Sequence, residues 1–172
     1  MEAGAEDIRW MEAALEQARS AAEKGEVPVG ALVVCGSRIV GQGGNSMELF
    51  RDALAHAEMQ ALREAQARIG DWRLEGCTLY VTKEPCPMCA GAALQTRISR
   101  IVYGLADPRF GAVESRWRLC EGTNRRVDVS GGLLAGESLA LLQRFFTAVR
   151  RRKKSVASAR AARYLGSRFY GG

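Results

Sequence analysis

The chain has 172 residues, 47% hydrophobic and 26% charged. This is the composition of an ordinary folded domain, and it excludes a disordered chain, a collagen-like repeat and a small disulfide scaffold. No uncharged apolar run approaches the 18 or so residues of a membrane helix, and the start, with Glu2, Glu6 and Asp7, is acidic where a targeting leader is basic or acid-poor, so a soluble, cytoplasmic protein is expected. The net charge of +6 is uneven. From Arg144 onward there are nine basic residues and no acidic ones, which leaves 16 basic and 19 acidic residues before it. The run Arg150-Arg151-Arg152-Lys153-Lys154 suits a phosphate backbone, although a helix end or a solvated tail also carries such runs.

Ile8, Met11, Leu15, Ala18 and Ala22 recur at helical spacing and predict a helix over 6–24, stopped by Gly25. Strands are expected over 31–35 and 38–40, joined by Gly36-Ser37 as a hairpin. Residues 41–51, rich in Gly and Asn, read as a loop. Residues 54–69 have helical period, with Met59, Leu62 and Ile69 on one side. A strand over 77–82, a helix over 86–96, a strand within 98–105, an irregular stretch over 107–123 and a strand over 126–130 follow. A last helix over 136–154 turns Leu139, Leu142, Phe146 and Val149 inward. The interleaving predicts an α/β fold with helices on both faces of one sheet, about five strands and four helices. Residues 1–154 form one domain, and 155–172 are expected to be a basic, loosely ordered tail.

Five cysteines without an even pairing argue against a disulfide framework. Cys86 and Cys89 form a Cys-x-x-Cys pair, and His56 is the sole histidine. Separately, each has a bland reading as redox pair, cap or packed side chain. Together they supply three ligands for Zn2+, one ion per chain, and leave the fourth tetrahedral position to water or hydroxide, as in a catalytic rather than a structural site. Two thiolates balance the ion's charge. Cys86 and Cys89, three apart, share a helix face, and a helix start favours thiolates. Glu58, two residues after His56, can move the proton of the activated water as general base and then acid. Alone it would equally be a first-turn acid facing the helix dipole. His-x-Glu with Pro-Cys-x-x-Cys is the established motif of zinc deaminases.

On these residues the chain resembles the bacterial tRNA-specific adenosine deaminases of the cytidine deaminase-like superfamily. The segments that carry the resemblance are Glu26-Val27-Pro28-Val29-Gly30, Ala55-His56-Ala57-Glu58, Thr78-Leu79-Tyr80-Val81-Thr82, Glu84 to Ala92 and Arg97 to Gly104, with Phe145-Phe146 before the basic run. The resemblance implies a three-layer α/β/α fold with a central five-stranded mixed sheet, and hydrolytic deamination of the wobble adenosine to inosine. It implies an arginine tRNA anticodon stem-loop with an ACG anticodon as partner, and a homodimer. It also implies that Asn45, Val29, Ala57, Asp107 and Asn124 contact the substrate and that Arg150, Arg151 and Arg152 lie along the RNA backbone. Two departures stand out. Gly44 replaces the family's usual Trp, and Asp52-Ala53-Leu54-Ala55 replaces Asp-Pro-Thr-Ala. Three alternatives share the motif: a deaminase of free guanine, cytosine or cytidine, the deaminase half of a riboflavin-pathway enzyme, and a non-catalytic zinc-stabilised RNA-binding module. The last needs a fourth ligand, for which Cys35, Cys77 and Cys120 are the candidates.

Overall fold

The computed structural model describes residues 4–123 and 126–166, apart from the side chains at 153 and 156–166. In chain order its elements are α1 (Ala5–Glu23), β1 (Gly30–Cys35), β2 (Arg38–Gly44), α2 (Met47–Phe50), α3 (Ala57–Ile69), β3 (Cys77–Lys83), α4 (Pro87–Gln95), β4 (Arg100–Leu105), β5 (Asp128–Ser130) and α5 (Ala135–Gly166). The strands form one mixed sheet in the order β2-β1-β3-β4-β5. β1 is antiparallel to both β2 and β3, and β3, β4 and β5 are parallel.

Alternation along the strands builds the three layers. Leu32, Val34, Tyr80 and Val102 meet Trp10, Met11 and Ala14 of α1 on one face. Ala31, Val33, Leu79, Val81 and Ile101 meet Ala57, Ala61, Leu62 and Ala65 of α3 and Ala90 and Ala93 of α4 on the other. Each fully buried Val, Leu or Ile contributes about 1.5–3 kcal/mol. The start of α5 packs on α1 through Leu141 against Leu15 and Ala18. The fold is the expected three-layer α/β/α arrangement around five strands.

Several elements differ from the sequence expectation. β2 runs on to Gly44 through the segment read as a loop. Its glycines allow close packing of α3, since a Cβ on Gly41 would lie 2.0 Å from the Ala61 carbonyl oxygen. A one-turn helix, α2, follows and makes five helices among the described residues. α3 begins at Ala57 rather than residue 54, because Asp52 organises a turn in which its Oδ1 accepts the Leu54 N–H at 2.8 Å. In α5, Leu141 and Leu142 are the buried pair, while Leu139 and Phe146 are 41% and 42% exposed. The helix also continues through Ser155 to Gly166, where a loose tail was expected. Residues 155–165 are rich in Ala and hold neither Gly nor Pro, so helical propensity is uninterrupted there. Residues 167–172 lie outside the described residues.

At the start of β4, Asp7 of α1 clamps the sheet. Its carboxylate accepts two bonds from Arg100, each at 2.8 Å, and one from the Tyr80 hydroxyl at 2.7 Å. The Arg100 guanidinium holds the Asp7 carboxyl below the usual carboxylate range.

Candidate active site

One end of the sheet gathers the start of β1 and the ends of β2 and β3, because β1 is antiparallel to both neighbours and Gly30 pairs with Gly44. The starts of α3 and α4 point to the same end. His56 is the N-cap of α3 and Cys86 the N-cap of α4, with Pro87 at the first helical position, where its missing N–H costs nothing. Neither residue makes a side-chain capping hydrogen bond, and the two side chains meet each other. His56 Nδ1 lies 3.4 Å from Cys89 Sγ and 3.7 Å from Cys86 Sγ, and all three donor atoms fall within 4.8 Å of one another. Nitrogen and sulfur ligands of one tetrahedral metal stand about 3.5 Å apart, so this donor set fits a metal ion. Among the described residues this group has three members. Cys35, Cys77 and Cys120, the candidate fourth ligands, are not in it, and Cys35 pairs with Cys77 across β1 and β3 instead.

The electrostatics suit proton and metal chemistry. Contacts with Cys89 and then His56 pull the Cys86 thiol down to about 4, against burial. The Cys86 contact raises the His56 imidazole. The Cys86 contact and burial push the Cys89 thiol up. Glu58, in the first turn of α3, is 4% exposed, and burial pushes its carboxyl above the usual carboxylate range. A buried carboxyl beside a metal-ligand set is the arrangement expected of a proton carrier.

These groups open onto a cavity of about 320 Å³, a size that suits a small ligand or a single nucleobase. Of the residues singled out in the sequence, Val29, Asn45, His56, Glu58 and Cys86 line it. Cys89 is buried in the first turn of α4, and Ala57 is buried under the start of α3. Asp107 is not among the lining residues. Its Oδ1 accepts the N–H groups of Arg109 and Phe110, and its Oδ2 pairs with Lys83, which does line the cavity. Asn124 lies outside the described residues. Arg150, Arg151 and Arg152 are exposed on α5. Leu142 and Phe146 of that helix form part of the cavity wall, and Arg150 follows them at the same four-residue spacing, on the same side of α5.

Sequence reasoning gave no role to Glu26, Met47, Lys83 or Glu84. Glu84 lines the cavity and is 2% exposed. Its carboxylate accepts N–H bonds from Asp107 at 2.9 Å, Val113 at 3.4 Å, Glu114 at 2.9 Å and Ser115 at 2.9 Å, and one from the Ser115 hydroxyl. Burial works against its charge, yet these donors hold the carboxyl below the usual range. Gly111 is needed for this approach, because a Cβ there would lie 2.1 Å from Glu84 Oε2.

The family of MafB19-like deaminases matches residues 5–150. Over 153 residues the chain is 41% identical to the tRNA-specific adenosine deaminase of Bacillus subtilis (strain 168), spanning 88% of this chain and 95% of that protein. The chain belongs to the tRNA-specific adenosine deaminase family. A solved structure from work on A-to-I editing by tRNA:A34 deaminases at the wobble position of transfer RNA is 44% identical, with a TM-score of 0.74 over 78% of this chain and 99% of that one. The guanine deaminase of Nitrosomonas europaea is also similar, at 27% identity and a TM-score of 0.71 over 83% of this chain and 85% of that one. The fold is thus common to a tRNA deaminase and a guanine deaminase. Among the described residues no helix of this deaminase is long and apolar enough to cross a membrane.

Proposed function

We propose that this deaminase converts the wobble adenosine of a tRNA anticodon loop to inosine, with residues 1–154 as the catalytic unit and 155–172 as a basic extension. The observation that carries the reading is the placement of buried Glu58 beside the His56, Cys86 and Cys89 donor set, in a base-sized cavity whose wall is partly α5. His56, Cys86 and Cys89 would hold one Zn2+ per chain, which supplies Lewis acidity that makes water a nucleophile at neutral pH.

Glu58 does the proton work. It takes a proton from the attacking water and places it on ring nitrogen 1 as water adds to carbon 6. It then delivers the second proton to the amino nitrogen, which leaves as ammonia, and the ring keeps a carbonyl at carbon 6. Adenosine and water become inosine and ammonia, with Glu58 back in its starting state. The extruded base sits between Val29 and Asn45, and the buried start of α3 at Ala57 forms the floor. Asp107 and its partner Lys83 face the ribose side, and Asn124 contacts the nucleotide. Arg150, Arg151 and Arg152 lie along the RNA backbone, where their attraction weakens with salt. An arginine tRNA with an ACG anticodon is the substrate, a homodimer is the working unit, and the cytoplasm is the compartment.

Deamination of a free base or nucleoside (guanine, cytosine or cytidine) is the second reading, favoured by the likeness to guanine deaminase. It leaves the cations of α5 without a task.

Glu58→Gln tests the proton role. The zinc-loaded variant is expected to keep about one ion per chain while turnover of an anticodon stem-loop falls by about 10²–10⁴-fold. Wild-type turnover with zinc bound would reject the assignment.

A further inference from the structure

Glu26 is a buried carboxylate that the chemistry above does not use. It lies between α1 and β1 and is 1% exposed. Its Oε2 accepts the Asn45 Nδ2–H at 3.0 Å and its Oε1 accepts the Leu49 N–H at 2.7 Å. Asn45 lines the cavity and Glu26 does not, so Glu26 grips Asn45 from the side away from the cavity.

A carboxylate only accepts, whereas an amide has a donor end and an acceptor end. The bond to Glu26 therefore decides which end of Asn45 is left. Nδ2 turns to Glu26 and Oδ1 turns away. Among the described residues Oδ1 has no hydrogen-bond partner, and the one buried side-chain polar atom sealed off without a partner is Ser138 Oγ. Oδ1 therefore has accessible surface, and the surface that Asn45 offers is the cavity wall.

The other oxygen of Glu26 works on the same rim. Leu49 is the third residue of α2, whose N-cap, Ser46, makes no side-chain capping bond. Glu26 thus supplies the cap from 23 residues away. Met47 of α2 lines the cavity.

We propose that Glu26 is a positioning residue for substrate choice. It locks the Asn45 amide with Oδ1 facing the cavity, so the pocket meets its nucleotide with an acceptor and takes an N–H or O–H group there. This rests on the reading of the cavity as the site where a nucleotide of the RNA is deaminated. An adenosine whose amino group lies at the reaction centre offers such a donor at its ribose hydroxyl. Without Glu26 the amide is free to turn over and present a donor to a donor.

A reciprocal exchange tests the proposal. In Glu26→Gln the position-26 side chain donates as well as accepts, and Asn45 loses its fixed sense. In Asn45→Asp two carboxylates are forced together. In the double variant Glu26→Gln/Asn45→Asp the new amide donates to the new carboxylate, whose second oxygen again faces the cavity as an acceptor. Each zinc-loaded protein is assayed on an anticodon stem-loop with adenosine at the wobble position, with zinc content and circular dichroism recorded in parallel.

Glu26→Gln is expected to raise KM about tenfold while kcat changes by less than about threefold. The double variant is expected to recover at least about tenfold in kcat/KM over Asn45→Asp. A carboxylate that merely fills space and caps α2 predicts an unchanged KM in Glu26→Gln, because the position-26 amide still accepts from Leu49. A double variant no better than Asn45→Asp overturns the proposal, and that comparison decides even if Glu26→Gln alone is unstable. With an active wild type, failure of the exchange removes only the role of Glu26. A zinc-loaded wild type that leaves the stem-loop unchanged overturns the functional reading and this proposal together.

Discussion

Strand β3 has a pair of thiols at each end, and the two pairs have opposite chemistry. At its start, Cys77 faces Cys35 across antiparallel β1. Cys77 is 1% exposed, and burial pushes its thiol up to about 12. Just past the other end, Cys86 and Cys89 meet His56, and Cys86 is pulled down to about 4. The residue type is the same, so the difference is made by the surroundings. The first pair is held by the strand ladder and apolar neighbours. In the second, Cys86 sits at a helix start beside an imidazole, where a thiolate is favoured, while the Cys86 contact and burial push Cys89 up. The same contrast covers the whole sheet. One end is closed by the Asp7 clamp and apolar packing, and the other buries Glu26, Asn45, Glu58 and Glu84 around a cavity.

The largest expected effect is at the chemical end. Cys86→Ala is expected to lose bound zinc, measured by metal analysis, and to lower turnover by more than the about 10–100-fold typical of changes around a metal's ligands. Removing the cations of α5 comes next. The triple variant Arg150→Ala/Arg151→Ala/Arg152→Ala is expected to weaken stem-loop binding about tenfold and to lower the slope of log affinity against log salt by about 2, with zinc retained. An unchanged slope would detach α5 from the RNA.

At the other end the expected losses are in stability alone. Asp7→Asn removes the acceptor of a paired guanidinium and is expected to cost about 2 kcal/mol in denaturant unfolding at neutral pH, with kcat intact. The Asp7 carboxyl is held low in the folded chain. Its stabilising share is therefore full above the unfolded carboxylate range near pH 4 and is lost as pH falls through the lower folded value. The difference between wild type and Asp7→Asn is expected to shrink on that acid side. The smallest effect is for Cys77→Ala, about 1 kcal/mol of stability with full zinc content. Loss of zinc in Cys77→Ala would break the contrast between the two pairs.

What the sequence showed follows the same division. Local patterns carried the strands of the sheet and most helices, because the short β-rich run of Ala31 to Cys35 and the helical spacing of Met11, Leu15 and Ala18 are written in nearby residues. The candidate metal-binding group was legible too, since His56, Cys86 and Cys89 fall at spacings that chemistry restricts and the structure brings their donor atoms within 4.8 Å of one another. What was not legible depends on long-range contact. The glycines of β2 read as a loop until α3 is laid against Gly41. Glu26 reaches Asn45 over 19 residues and Leu49 over 23, and Glu84 reaches residues 107–115 over 23 to 31. No local pattern announces such bonds. The continuation of α5 past Lys154 was hidden by its polar and charged residues, although its alanines favour a helix.

The most direct test of the account is a substrate comparison by mass spectrometry. Zinc-loaded protein is given an arginine-tRNA anticodon stem-loop with an ACG anticodon, and separately free adenosine, guanine and cytidine. The account predicts inosine at the wobble position and no conversion of the free compounds. Conversion of guanine or cytidine with the RNA untouched would contradict it, and would reduce the cations of α5 to a solvated helix end.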